Sequence, residues 1–154
     1  MVETSTDRIE KEIVVQAPRT KVWRALTDFR EFGKWFQAEM KDPFVAGVPS
    51  RGRITHPGYE HLIIEVQVER MEPEHLFSWR WHPYAIDVKH DYSREPTTLV
   101  VFELDDVPEG TRLKVTESGF DQIPLARRSE AFRMNSNGWE QQVHNIARYA
   151  GENK

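Results

Sequence analysis

The chain contains no cysteine, which excludes disulfide staples and thiolate metal sites. It also lacks any apolar run approaching the roughly 20 residues that a membrane-crossing helix requires. Its polar, mixed-charge start, Met1 to Arg8, has neither the basic flank nor the apolar run of a secretory signal, so a cytoplasmic protein is expected. Positive charge is in deficit, with 21 Lys and Arg against 25 Asp and Glu for a net charge of −4. That weighs against nucleic acid, whose binders gain affinity by covering phosphates with basic residues. The one basic cluster, Arg127, Arg128 and Arg133, is interrupted by Glu130 and reads as a solvated helix face.

Chemical signatures are equally scarce. No G-x-S-x-G elbow is present, and no serine stands in a recognisable nucleophile setting. The 6 histidines form no H-E-x-x-H or close helical pair. His82, Asp87, His90 and Asp91 cluster after a tryptophan-rich strand, but such loops are polar by default, and neither a metal nor a cofactor is expected. Gly47 and Gly52 have the spacing of a phosphate loop, yet Arg53 and Ile54 follow where Lys and Ser/Thr belong.

What is present is ordinary globular composition, 38% apolar and 30% charged, in 154 residues, the size of one domain spanning positions 1–154. From Arg8 to Ala17, Ile9, Ile13 and Val15 alternate with polar residues as in a half-buried strand, with Lys11 the exception on the inner side. Pro18 suits the first position of a helix with the stripe Val22, Trp23 and Leu26. Asp28 followed by Glu31 resembles a capping box opening a second short helix with Phe32, Trp35 and Phe36 on one face. Strands follow. Pro57-Gly58 matches a type II turn, and Leu62, Ile64, Val66 and Val68 share one face. Phe77, Trp79 and Trp81 alternate with Ser78 and Arg80, and two further strands, from Thr97 and from Thr111, join through Pro108-Glu109-Gly110. After Pro124, Trp139, Val143, Ile146 and Ala150 recur at helical spacing, interrupted by Gly138. Strand, two short helices, about six strands and a long helix make an α+β domain in which the last helix covers one face of an antiparallel sheet.

Aromatic residues are the informative feature. Trp35, Phe36, Trp79, Trp81, Tyr84 and Trp139 come from elements that this order brings to one concave face. They read either as core or as walls of a cavity for an apolar or aromatic molecule. If Leu113 and Val115 face inward, alternation sends Glu117 inward as well, where a carboxylate needs a partner.

Several stretches resemble one family. Val22-Trp23-Arg24-Ala25-Leu26-Thr27-Asp28, Lys34-Trp35-Phe36, Phe77-Ser78-Trp79, Gly110-Thr111-Arg112-Leu113, Thr116-Glu117-Ser118-Gly119-Phe120 and Gly138-Trp139 are similar, in order and spacing, to the activator-of-heat-shock-protein-ninety-ATPase homologue (AHSA-like) proteins. These belong to the START-like, or SRPBCC, superfamily. The resemblance implies a helix-grip fold with a deep cavity between a curved sheet of six or seven strands and the long helix. With the aromatic set it also implies a small hydrophobic or aromatic ligand, with Trp35 and Phe36 near the mouth, Trp79, Trp81 and Trp139 as walls, Tyr84 as a further ligand-binding residue and Glu117 as polar anchor. One alternative is a co-chaperone-like module acting on a heat-shock ATPase, which predicts a filled core. Another is a cyclase or hydrolase using Glu117, Asp87 or His82 as general base. Monomer and homodimer are both open, and no nucleic acid or membrane insertion is expected.

Overall fold

The computed structural model describes residues 7–87 and 89–152. Its elements run β1 (Arg8–Val15), α1 (Arg19–Thr27), α2 (Phe29–Phe36), β2 (Ala38–Met40), β3 (Pro49–Ile54), β4 (Ile63–Glu72), β5 (Leu76–Trp81), β6 (Thr98–Val107), β7 (Gly110–Ser118), a 3-10 turn (Phe120–Gln122) and α3 (Leu125–Glu152). The strands form one 7-stranded sheet in the order β1-β7-β6-β5-β4-β3-β2, and every neighbouring pair is antiparallel. This is the helix-grip arrangement that the alternation and the last amphipathic stretch require.

The two faces of the sheet differ because its side chains alternate. Val66, Val68, Phe77, Trp79, Val100, Phe102, Leu104, Leu113 and Val115 are buried on the inner side. The outer side carries cross-strand ion pairs instead, including Arg112–Asp105, Lys114–Glu10, Arg80–Glu69 and Arg51–Glu65. Exposed pairs of this kind contribute little stability each, but they keep that face in water. α3 closes the inner side with Ala131, Trp139, Val143, Ile146 and Ala150, all buried. Lys11, the inward exception on β1, reaches the helix and pairs with Glu140 at 3.7 Å.

Local signals are mostly realised, with three differences. Pro18 is the N-cap of α1 rather than its first helical residue, with an extended ψ of 157°. Asp28 caps α2 by accepting from the N–H groups of Arg30 and Glu31. The reciprocal half of the box is missing, because Glu31 turns to Arg24 at 2.7 Å and to Tyr149. Arg127 is not a solvated residue: it donates to Glu95 at 2.8 Å and to the Pro83 carbonyl at 2.7 Å, and it lies over the Tyr92 ring. It straps the β5–β6 loop to the first turn of α3. The β6–β7 connection is a two-residue hairpin, Pro108-Glu109, closed by Gly110 at φ 145°. A Cβ on Gly110 would lie 2.3 Å from the Val15 carbonyl oxygen, so glycine is required there for space as well as for φ.

Candidate functional site

At the centre of the sheet–helix interface sits Glu117, with 0% of its surface exposed. β7 aims it inward because Leu113 and Val115 occupy the preceding inward positions. Its Oε2 accepts from Trp81 Nε1 at 2.7 Å and from the Thr98 hydroxyl at 2.5 Å. Its Oε1 accepts from Trp139 Nε1 at 2.8 Å and from Asn135 Nδ2 at 2.9 Å. These four donors, drawn from β5, β6 and α3, are all neutral. They provide the partner that an inward carboxylate needs, and they tie the sheet to the helix. The indoles of Trp81 and Trp139 therefore have a polar role as well as an apolar one. Among the described residues, the buried Trp79 indole N–H has no acceptor.

Around this knot the aromatic side chains fill the interior. Trp79 is fully buried, with ring centroids 5.1 Å from Phe102, 5.4 Å from Trp81 and 5.8 Å from Phe32. Trp81 and Trp139 lie 5.9 Å apart, and Phe36 is 6.4 Å from each. Trp35 is buried between the short helices, where its indole donates to the Ala25 carbonyl at 2.8 Å. The space expected for an enclosed cavity is thus largely occupied by side chains. A hollow of about 110 Å³ remains, bordered by Phe36, Trp81, Met134, Asn135, Gly138 and Trp139.

A larger groove adjoins it. About 590 Å³ in volume and open to solvent, it lies against β3, β4 and the end of β5, between α3 and the β5–β6 loop. Phe36, Ile54, Ile64, Trp81, Tyr84 and Tyr92 give it apolar walls. Ile63 and Ile86, large apolar residues at 64% and 38% exposure, stand on its rim. Phe36, Trp81 and Asn135 border both spaces. A second groove, about 700 Å³, lies among Lys21, Arg24, Lys34 and Tyr149. It has no comparable aromatic floor, and Glu31 already takes up Arg24 and Tyr149 there, so the aromatic groove is the better candidate.

Of the seven residues singled out in the sequence, Phe36, Trp81 and Tyr84 border the groove, and Trp139 borders the smaller hollow. Trp35 and Trp79 are buried packing residues that border neither space. Glu117 is sealed beneath Trp81, Asn135 and Trp139 and does not meet solvent. Asp87 and His82 are not brought to it: Asp87 accepts from the Lys89 backbone in a local turn, and His82 bonds the Glu95 carbonyl. Among the described residues, no group of three or more His, Cys, Asp or Glu could hold a metal ion.

Asn135, Ile54, Ile64 and Tyr92 border the groove but were not among the candidate site residues of the sequence. Asn135 lies four residues before Trp139 on α3, so the same helical face that predicted Trp139 pointed to it. Polarity alone kept it out of the apolar stripe. The β5–β6 loop is positioned by Glu95, which takes His90 at 2.6 Å and Arg127 at 2.8 Å. Burial pushes the Glu95 carboxyl up, but the hydrogen bonds from His90 and Arg127 outweigh it and hold it below the usual carboxylate range.

Among solved structures, the chain is similar to a Mesorhizobium loti protein at 21% identity and a TM-score of 0.74, covering 96% of this chain and 98% of that one. It is also similar to DynU16, a protein of the dynemicin biosynthetic locus, at 26% identity and a TM-score of 0.71; the match covers 93% of this chain and 46% of DynU16. The Aha1 dimer of Colwellia psychrerythraea shares the fold at 18% identity and a TM-score of 0.69, covering 96% of this chain and 98% of that one. No curated protein matches significantly. The family model described as Activator of Hsp90 ATPase homolog 1-like protein matches residues 16–151, and the chain belongs to that family.

Proposed function

We propose that this protein is a binding module that works through the open groove beside α3, taking a small apolar or aromatic molecule. The observation that carries this reading is the groove itself: aromatic and aliphatic walls interspersed with polar side chains such as Asn135, and exposed Ile63 and Ile86 at its rim. Its volume of about 590 Å³ falls within the roughly 300–1,000 Å³ typical of small-molecule sites. The likeness to DynU16, from a biosynthetic locus, is in keeping with a small-molecule partner. A ligand at 100-fold its Kd stabilises a fold by about 2.7 kcal/mol, on the order of 5–10 °C for a chain of this size. A thermal-shift screen with fatty acids, sterols, flavonoids and aromatic polyketides is expected to yield such a shift. Ala85→Trp, which fills the groove from its loop wall, is expected to abolish it. A flat screen would count against the reading.

The comparisons with known proteins support a second reading better than this one. The family's description names activation of a heat-shock ATPase, and the filled sheet–helix interface fits a module that acts through its surface. On that reading the protein raises the turnover of a heat-shock ATPase, and the apolar rim is part of the docking surface. An ATPase assay with the chaperone of the same source, at high concentrations of this protein, tests it; unchanged turnover would remove it.

A further inference from the structure

We infer that Asn135 sets the chemistry of the groove's occupant, by accepting a hydrogen bond from a planar aromatic molecule that carries a hydroxyl or N–H donor. The inference rests on the small-molecule reading above and sharpens it.

Asn135 borders both the groove and the hollow beside it. Its amide is not free to choose an orientation. Glu117, with donors on both oxygens, is an acceptor, so the Nδ2 end of Asn135 must face it, as it does at 2.9 Å. That commitment leaves Oδ1 as the atom available to an occupant. Among the described residues, Oδ1 accepts no hydrogen bond, whereas the other polar side chains bordering the groove each lie against at least one partner. Arg51 and Glu65 pair with one another, His82 bonds the Glu95 carbonyl and His90 the Glu95 carboxylate. The Tyr92 hydroxyl accepts from the Asp87 N–H, and the Ser93 hydroxyl donates to Asp91. Burial, with the Glu130 carboxylate nearby, pushes the Tyr84 hydroxyl up. The groove thus offers a committed acceptor where it meets the hollow, a junction that Phe36 and Trp81 border as well. A ring stacked there and carrying a donor satisfies Oδ1. An ether of the same shape sets two acceptors against each other and leaves Oδ1 unpaired.

The test compares two probes of nearly equal shape, 2-naphthol and 2-methoxynaphthalene, on the unmodified protein. Binding is followed by NMR at the Trp81 and Trp139 indole N–H signals and the Asn135 side-chain amide. The expected result is an affinity for 2-naphthol at least about tenfold higher, with the Asn135 amide among the signals that move. Asn135→Leu is expected to bring the two affinities together, chiefly by weakening the naphthol. Because this change also removes a donor from Glu117, its folding is checked by urea denaturation; the comparison on unmodified protein does not depend on it. Equal affinities for the two probes would overturn the donor selection while leaving the groove as a binding site. Millimolar probe with no effect on Trp81 or Asn135 would overturn the groove reading itself.

Discussion

Replacing Glu117 tests the central claim about how this fold is held together. The carboxylate is 0% exposed and accepts from four neutral donors. Hydrogen bonds to a charged group contribute about 1.5–3 kcal/mol each, which sets their gross value against an effective desolvation penalty of several kcal/mol for the ion. The net worth of the knot is therefore modest, but breaking it leaves the donors buried. In Glu117→Leu, Asn135 can turn to the groove and the Thr98 hydroxyl can rotate. The Trp81 and Trp139 indoles are fixed by their packing and lose their acceptor. At about 1–3 kcal/mol for each stranded N–H, the expected loss is roughly 2–6 kcal/mol. Glu117→Gln keeps one oxygen and two of the bonds. Its new NH₂ meets the other two donors, so Thr98 can rotate to accept and one indole is stranded. The expected loss is smaller, about 1–3 kcal/mol. Urea denaturation followed by tryptophan fluorescence reads both changes, and with a slope of about 1–3 kcal/mol per molar they appear as clear midpoint shifts. A Glu117→Leu protein as stable as the parent would mean that the indoles find other partners at no cost and that the knot does not hold the helix to the sheet.

Two glycines should respond oppositely to alanine. Gly138 lies inside α3 with nothing within 4 Å of an added Cβ, so Gly138→Ala is expected to stabilise by about 0.5–1 kcal/mol. Gly110, at φ 145° with Val15 O at 2.3 Å from its virtual Cβ, is expected to lose more than about 1–3 kcal/mol in the same denaturation assay. Tyr149 gives a pH signature: burial and the hydrogen bond to Glu31 push its hydroxyl from the ordinary 10.0 up to about 12. The folded state then holds this proton more tightly than the unfolded chain does. Its stabilising contribution is fully present below about pH 10 and is lost as pH rises toward 12. Melting temperatures of the parent should therefore fall more steeply over that alkaline range than those of Tyr149→Phe, and parallel curves would contradict the assignment.

Much of the architecture was legible because it depends on short-range periodicity. Ile64, Val66 and Val68 on β4, and Trp139, Val143, Ile146 and Ala150 on α3, are buried at the spacings that announced them. Glu117 was placed inward by alternation alone, and it is inward. Its partners were not legible, because Trp81, Thr98, Asn135 and Trp139 reach it across 18 to 36 positions of sequence. Nor did the second half of the capping box materialise, since Glu31 is drawn to Arg24 and Tyr149, the latter 118 residues away.

The chain carries its element order, the apolar face of each element and the helix that must cover the sheet within its local periodicity and turn chemistry. It also supplied the aromatic side chains without saying which would be core and which would face open space. Long-range packing put Trp35 and Trp79 in the interior and left Phe36, Trp81 and Tyr84 on the border of the groove. It also decided that Arg127 leaves solvent to strap a loop. The physical reason is common to these cases. A side chain's role here depends on which neighbour from a distant element arrives within a few ångströms, and on how much space that neighbour leaves, and neither quantity is encoded within reach of a local pattern.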